Sequence, residues 1–190
     1  MSSNLIKAQM NLSNLLVPVP TVVTTVDEQG NPNASTLSFT TIVHWKPASI
    51  MISVDSKNKS TMNIRKNKKF TINVLRKGEL GKKIAGRVGY KSGHEMNKFN
   101  EMKFLEKVKI NSKDNWPPII DGTILALHCE LIEEYNYHGQ VLCIGEIKEA
   151  SAIKELKLIG ELEDRSKIWR SFEELALTHA DLYEYLQIND

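Results

Sequence analysis

Two kinds of binding chemistry stand side by side in the stretch from Asn33 to Thr61, NASTLSFTTIVHWKPASIMISVDSKNKST. Ser35, Thr36, Ser38, Thr40 and Thr41 form a row of hydroxyls beside Phe39, and Lys57, Lys59, Ser60 and Thr61 join cations to hydroxyls at the start of an expected helix. Amide N–H groups open at a helix start, so amides, hydroxyls and a lysine together can cradle a phosphate. Short polar side chains on a neighbouring strand can meet the edge of a planar ring. A polar-edged ring joined to a phosphate would use both halves. Each half also has a plainer explanation. Ser60 could simply be the N-cap of a basic helix with solvated lysines, and alternating Ser and Thr could be the exposed face of a strand.

The elements that must position these residues follow from the local pattern. TVVTTVD is a β-branched run, DEQGNPN is saturated with turn formers, and ASTLSFTTIV is expected as the second arm of an antiparallel hairpin. Lys46-Pro47 breaks that arm. SIMISVD and FTINVL are further strands, separated by a short helix around Ser60 to Lys66. From Gly78 to Glu106 no period-2 pattern survives, and the segment is expected to be a mobile excursion with one or two short helices. KVKIN is a candidate strand and NWPPIIDG a proline-limited edge or loop. ILALHCELIEEY and QVLCIGEIKEA form a hairpin about Asn136 to Gly139, with Leu125, Leu127, Cys129 and Leu131 alternating against Ala126, His128 and Glu130. Beyond Ser151 the period becomes helical. Ile168, Phe172, Leu175, Ala176, His179, Leu182, Tyr183 and Leu186 make an apolar stripe, with Asp164 as N-cap, predicting one helix or two. Asn4 to Leu16 could form a further short helix before Pro18 and Pro20 enforce an extended entry. Short strands in hairpins, closed by helices, fit a small antiparallel barrel and not a Rossmann sheet.

Composition narrows the partners. At 190 residues the chain suits one well-buried core with decorations. Its net charge of +2 gives no mandate for nucleic acid or an anionic membrane. The charge is uneven: from Lys57 to Lys91 the cations are answered only by Glu79, which suggests a local anionic ligand. No secretory signal or apolar span is evident, so a cytoplasmic protein is expected. Cys129 and Cys143 are expected to be inert core thiols. His44, His94, His128, His138 and His179 show no ligand spacing, so no metal site is expected, and His128 and His179 are assigned structural roles. Trp45 and Trp116, each beside a proline, suit a rim or a dimer contact, and Trp169 suits packing.

The opening VTTVDEQGNPNAS, SFTTIVHWKP, the DSKNKST turn with NIRKNKKFTINVL behind it, NKF at Asn97 to Phe99, and ALHCELIEE followed by VLCIGEI resemble, in order, the flavin reductase-like family. These are FMN-binding split-barrel proteins that include NAD(P)H:flavin oxidoreductases and flavoredoxins. The resemblance covers about Pro18 to Glu149 and implies a mainly β, antiparallel split barrel with appended helices. It implies an FMN-binding domain over residues 1–150, with 1–17 as an extension. Residues 151–190 would form a helical extension packed on the barrel or on a partner subunit.

Carried over by position, the resemblance assigns Thr36, Ser38, Phe39 and Thr40 to the isoalloxazine segment, Lys57, Ser60 and Thr61 to the phosphate turn, and Ser92, Gly93 and Phe99 to a covering loop. FMN is implied in preference to FAD, NAD(P)H is a candidate electron donor, and a homodimer with flavin near its interface is implied. Catalysis would rest with the flavin, while backbone N–H groups and Ser38 or Thr40 stabilise the reduced, anionic ring. The chain departs from the reductase pattern at Leu37, where Asn is common, and at Gln140, where a histidine associated with nicotinamide stands. The expected function is therefore FMN-dependent oxidoreduction from NAD(P)H or a protein donor to an acceptor, with no nucleic-acid or membrane partner. One alternative is a flavoredoxin-like electron carrier without nicotinamide activity. Another is a polyanion or nucleic-acid binding module, although the basic segment lacks the interleaved aromatics that such a module would use.

Overall fold

Adjacent valines announce how the core is divided. Val22 and Val23 must face opposite sides of a strand, yet both are fully buried, so this strand is covered on both faces. The computed structural model describes residues 19–108, 115–153, 174–182 and 185. Its elements are β1 (Thr21–Val26), β2 (Pro32–Leu37), β3 (Thr40–Trp45), β4 (Ala48–Asp55), α1 (Lys59–Asn67), β5 (Lys69–Leu75), α2 (Glu79–Tyr90), α3 (Lys98–Glu101), β6 (Lys107–Val108), β7 (Ile119–Ile120), β8 (Thr123–Tyr137) and β9 (Gln140–Ala152). Seven strands form one antiparallel sheet in the order β2-β1-β5-β8-β9-β4-β3, and β6 pairs with β7 separately.

The sheet order carries a closure. β2 and β3 lie at opposite ends of it, yet only Ser38 and Phe39 separate them in the chain. A link this short spans roughly 10 Å at most, so the two edges must meet and the sheet curls into a barrel. The Thr21 and Thr40 hydroxyls bond across the seam at 2.9 Å, and the Ser53 amide, donating to the Phe39 carbonyl at 3.0 Å, extends the β3–β4 ladder up to it. The expected single arm from Ala34 to Val43 is thus two strands on opposite edges. Local sequence carried no Gly or Pro at that corner, and the bend is imposed by closure.

Inside the barrel Val23, Ile52, Val54, Phe70, Ile72, Cys129, Val141 and Cys143 pack with Ile64 of α1. Gly145 is required there: a Cβ at this position would lie 2.4 Å from Phe70 Cζ, with rigid ring and sheet on either side. Outside the barrel, Val22 and Ala34 pack with Ile84, Ala85 and Val88 of α2. The Gly78 to Glu106 excursion therefore includes a regular helix of 12 residues whose apolar face covers β2.

β8 departs from a simple half-buried strand. Ala126 and His128, expected on the exposed side, are fully buried, and Trp116 of the 115–120 segment covers His128. His128 stacks on Trp116 at 5.5 Å and bonds through Nδ1 to Thr71 Oγ1 at 2.9 Å. The Thr71 hydroxyl gives its single hydrogen to Pro117 O, so Nδ1 of His128 is the protonated nitrogen. Burial raises the Cys129 thiol pKa, and raises that of Cys143 to about 11, which fits inert thiols.

The apolar C-terminal stripe is interrupted within the described residues. Glu174 and Leu175 are helical, Ala176 bridges antiparallel to Arg76, and a new helical turn begins at His179. The Lys77 amide reaches Leu175 O at 2.7 Å, and the Leu177 amide reaches Leu75 O at 2.8 Å. This segment therefore pairs antiparallel with the end of β5 before Thr178 caps the next turn. The expected cap at Asp164, Trp169 and the helix over Asn4 to Leu16 lie outside the described residues. Among the described residues no helix is long and apolar enough to cross a membrane.

Candidate functional site

A turn locked from behind builds the site. Asn58, and not Ser60, is the N-cap of α1: its Oδ1 accepts from the Ser60 amide at 3.0 Å. Ser60 is one residue inside the helix, fully buried, and belongs to a directional chain. Asn33 Nδ2 donates to Ser60 Oγ at 2.9 Å, Ser60 meets Ser35 Oγ at 2.8 Å, and Ser35 donates to Asn58 Oδ1 at 3.3 Å. Thr61 Oγ1 donates to Asp55 O at 2.7 Å, and the Lys57 amide to Asp55 Oδ1 at 2.8 Å. The hydroxyls of Ser60 and Thr61 thus fix the turn from behind, while Lys57, Asn58 and Lys59 line the cavity in front of it.

This turn forms one wall of a cavity of about 390 Å³, within the range of small-molecule sites. Ser35 and Thr36 of β2, the end of α2 from Val88 to Tyr90, and the Lys91–His94 loop form the other walls. Thr36 Oγ1 donates to Ala85 O at 2.6 Å, pinning β2 to α2. The loop is held from two directions. His94 Nε2 lies 2.9 Å from Lys57 O, and because a carbonyl can only accept, Nε2 carries the proton. Gly93 lies against Asn33, where a Cβ would come within 2.2 Å of Oδ1.

Lys98 gives the cavity its electrostatic character. It is only 3% exposed, and its ammonium donates to Ala34 O at 2.7 Å and Val88 O at 2.8 Å. An ammonium has three hydrogens, so a donor remains beyond these two carbonyls at a cavity wall. Burial among neutral groups lowers its pKa to about 8. Lys57, Lys59 and Lys91 add cations to the lining, and Asp55, the one carboxylate among the described lining residues, is turned to the Lys57 amide. An anion would restore the charge balance of a buried ammonium.

The residues assigned from sequence fall into separate layers. Thr36, Lys57, Ser92 and Gly93 line the cavity, and Ser60 and Thr61 stand behind it. Ser38, Phe39 and Thr40 lie at the barrel corner, just beyond the cavity on the same chain. Phe39 is 44% exposed, and Ser38 Oγ meets His179 Nε2 at 3.1 Å. Thr41 is exposed on β3, while Phe99 packs against the α2 core under Lys107. Asn33, Asn58, His94 and Lys98 were not singled out from sequence. Lys98 lay inside the Asn97–Phe99 match, and an Asn two residues before a Ser-Thr pair is an ordinary capping signal for Asn58.

An antiparallel barrel thus carries a cationic cavity beside the start of α1. The model of the flavin reductase like domain matches residues 15–161, and the chain belongs to that family. An FMN-binding protein from Thermus thermophilus, solved with bound 1-cyclohex-2-enone, is similar in structure at a TM-score of 0.65 and 20% identity, covering 80% of each chain. Flavoredoxin from Methanosarcina acetivorans aligns at 0.68 and 20% identity over 81% of this chain and 79% of that one. The Streptomyces globisporus NADH:FAD oxidoreductase aligns at 0.62 and 20% identity over 75% of this chain and 81% of that one. These likenesses place the fold among the split barrels.

Proposed function

We propose that this chain is an FMN-binding flavoprotein that passes electrons from a donor to an acceptor. The buried Lys98 ammonium on the wall of a cavity shared with the start of α1 carries this reading, because that combination suits a terminal phosphate. Lys57 and Lys59 would share the phosphate charge, and the Ser92–His94 loop would shield it from water. Ser38 lies two residues beyond Thr36, roughly 7 Å along an extended chain, which suits a ring held at the corner by Ser38, Phe39 and Thr40. Bound flavin would supply hydride or single-electron chemistry. The protein's part is to hold the phosphate, orient the ring and place donors on its polar edge.

The electron-carrier form is favoured over direct nicotinamide oxidation by the surroundings of Gln140. Its Oε1 accepts from Ser53 Oγ at 3.3 Å, and His138 nearby stacks edge-on against Tyr137. A small-molecule or protein donor would then supply the electrons. β3 supports a homodimer: Ile42, Val43 and Trp45 along it are all exposed, Trp45 by 86%. Residues 1–150 would form the cofactor domain and 151–190 an extension on the barrel or the partner. Titration with FMN tests the reading: a saturable uptake with a stable yellow complex is expected, and a protein that takes up none overturns it. Anaerobic mixing of that complex with NADH and NADPH should bleach it slowly, and rapid bleaching would restore the reductase form.

A further inference from the structure

The described C-terminal segment ends in a contact with the corner where the ring is proposed to sit. Backbone bonds from Lys77 to Leu175 and from Leu177 to Leu75 stitch it to the end of β5. Thr178 and Asp181 then cap one another: the Thr178 amide donates to Asp181 Oδ2 at 3.0 Å, and the Asp181 amide to Thr178 Oγ1 at 3.3 Å. Lys77 Nζ holds the same carboxylate at 3.3 Å. With Leu177 and Leu182 in the core, the turn is fixed at both ends. These anchors leave His179 8% exposed, with Nε2 3.1 Å from Ser38 Oγ across 141 residues of chain.

That bond decides what Ser38 can offer. A serine hydroxyl has one hydrogen and two lone-pair sites. If the imidazole takes the hydrogen, Ser38 keeps only acceptor capacity. If Nε2–H donates instead, Ser38 is free to donate elsewhere. Donors stabilise an electron-rich ring, so the second arrangement is the one suited to a flavin that gains electrons.

We propose that His179 is a positioning residue, donating through Nε2–H to Ser38 so that the Ser38 hydroxyl donates to the bound flavin ring. The inference rests on the reading that FMN binds with its ring at this corner. It gives the C-terminal segment a role in tuning the cofactor as well as packing. The contact addresses the ring and not the phosphate, so FMN and riboflavin must feel its loss alike.

The full-length protein and the variants His179→Leu, His179→Gln, Ser38→Ala and Ser38→Ala/His179→Leu test it. Fluorescence titration with FMN and with riboflavin, the visible absorption bands, the flavin midpoint potential and the apo melting temperature are measured. His179→Leu should weaken both flavins by the same factor, roughly two- to tenfold for one neutral hydrogen bond. It should also shift the bands and lower the potential. His179→Gln, which keeps an N–H donor, should restore the bands and potential, and the double variant should add nothing to Ser38→Ala. Should His179→Leu not fold, Ser38→Ala and His179→Gln carry the same comparison: the first must lower the potential and the second must not. FMN uptake with unchanged bands and potential in His179→Leu, or in Ser38→Ala, overturns this inference alone. A wild-type protein that takes up no FMN overturns the proposed function, and this inference with it.

Discussion

Replacing Lys98 with methionine separates the phosphate role from a structural one. Methionine keeps most of the stem's length and removes the ammonium that donates to Ala34 O and Val88 O. Two consequences oppose each other in the apo protein. The two carbonyls lose their donor, at about 1–3 kcal/mol for each group left unsatisfied. The cost of burying a charge also disappears. A depression from 10.5 to about 8 corresponds to roughly 3 kcal/mol before any discount for residual solvation. Apo stability at pH 7 should therefore change little.

Ligand binding has no such compensation. A charge-assisted hydrogen bond contributes about 1.5–3 kcal/mol, so FMN affinity should fall roughly 10- to 100-fold while riboflavin affinity stays within about threefold. The pH dependence gives an independent sign. With the folded pKa below the unfolded one, the unfolded chain holds more protons between about 8 and 10.5, so wild-type apo stability should rise with pH across that window. FMN, by raising the Lys98 pKa, should bind fully below pH 8 and more weakly above it. Both slopes should vanish in Lys98→Met. Isothermal titration with FMN and riboflavin at pH 7 and pH 9.5, beside urea melts, reads all of these quantities. Equal losses for FMN and riboflavin, or no loss for either, would refute the phosphate argument.

Other expectations follow from packing and burial. Gly145→Ala places a Cβ 2.4 Å from Phe70 Cζ, and should lower stability by about 1–3 kcal/mol in denaturant titration with flavin affinity largely kept in the folded fraction. Gly93→Ala meets the Asn33 amide instead; it should weaken FMN binding more than it lowers the melting temperature, since the loop and not the core must move. Burial lowers the His128 pKa, with Glu149 opposing the shift. The folded protein then binds fewer protons than the unfolded chain just below pH 6.5, so stability should decline as pH falls from 6.5 toward the folded value. His128→Gln should flatten that part of the profile in melts between pH 5 and pH 7.

Much of the fold was legible because strand and helix periods are local properties. TVVTTVD, FTINVL and the β8–β9 hairpin appear where β-branched runs and turn residues put them. The interruption near Thr178 was legible too: Thr178, followed three residues later by Asp181, is a capping pair of the kind that starts a helix. The apolar stripe masked it, since a helical period survives when one helix ends and another begins in phase. Burial of His128 was not legible, because the Trp116 ring that covers it comes from a separate segment. Lys98 was hidden for a related reason. A lysine on a short polar helix looks solvated, and only the tertiary approach of Ala34 and Val88 makes it a buried cation.

The corner at Ser38–Phe39 shows why fold and candidate site cannot be read apart. Closing the barrel requires the chain to leave one sheet edge and enter the other within that link. The demand fixes Thr40 against Thr21 and ties Phe39 O to the Ser53 amide, which leaves the Ser38 hydroxyl to a partner outside the sheet. His179 is that partner, delivered by a segment stitched to β5. The cationic cavity begins one residue before the corner's own flank, at Thr36, whose hydroxyl is spent on α2. Hydroxyls that looked equivalent along one strand therefore have different work. Those of Ser35, Thr36 and Thr40 hold the frame, while that of Ser38, just beyond the cavity, stands where closure meets the C-terminal segment.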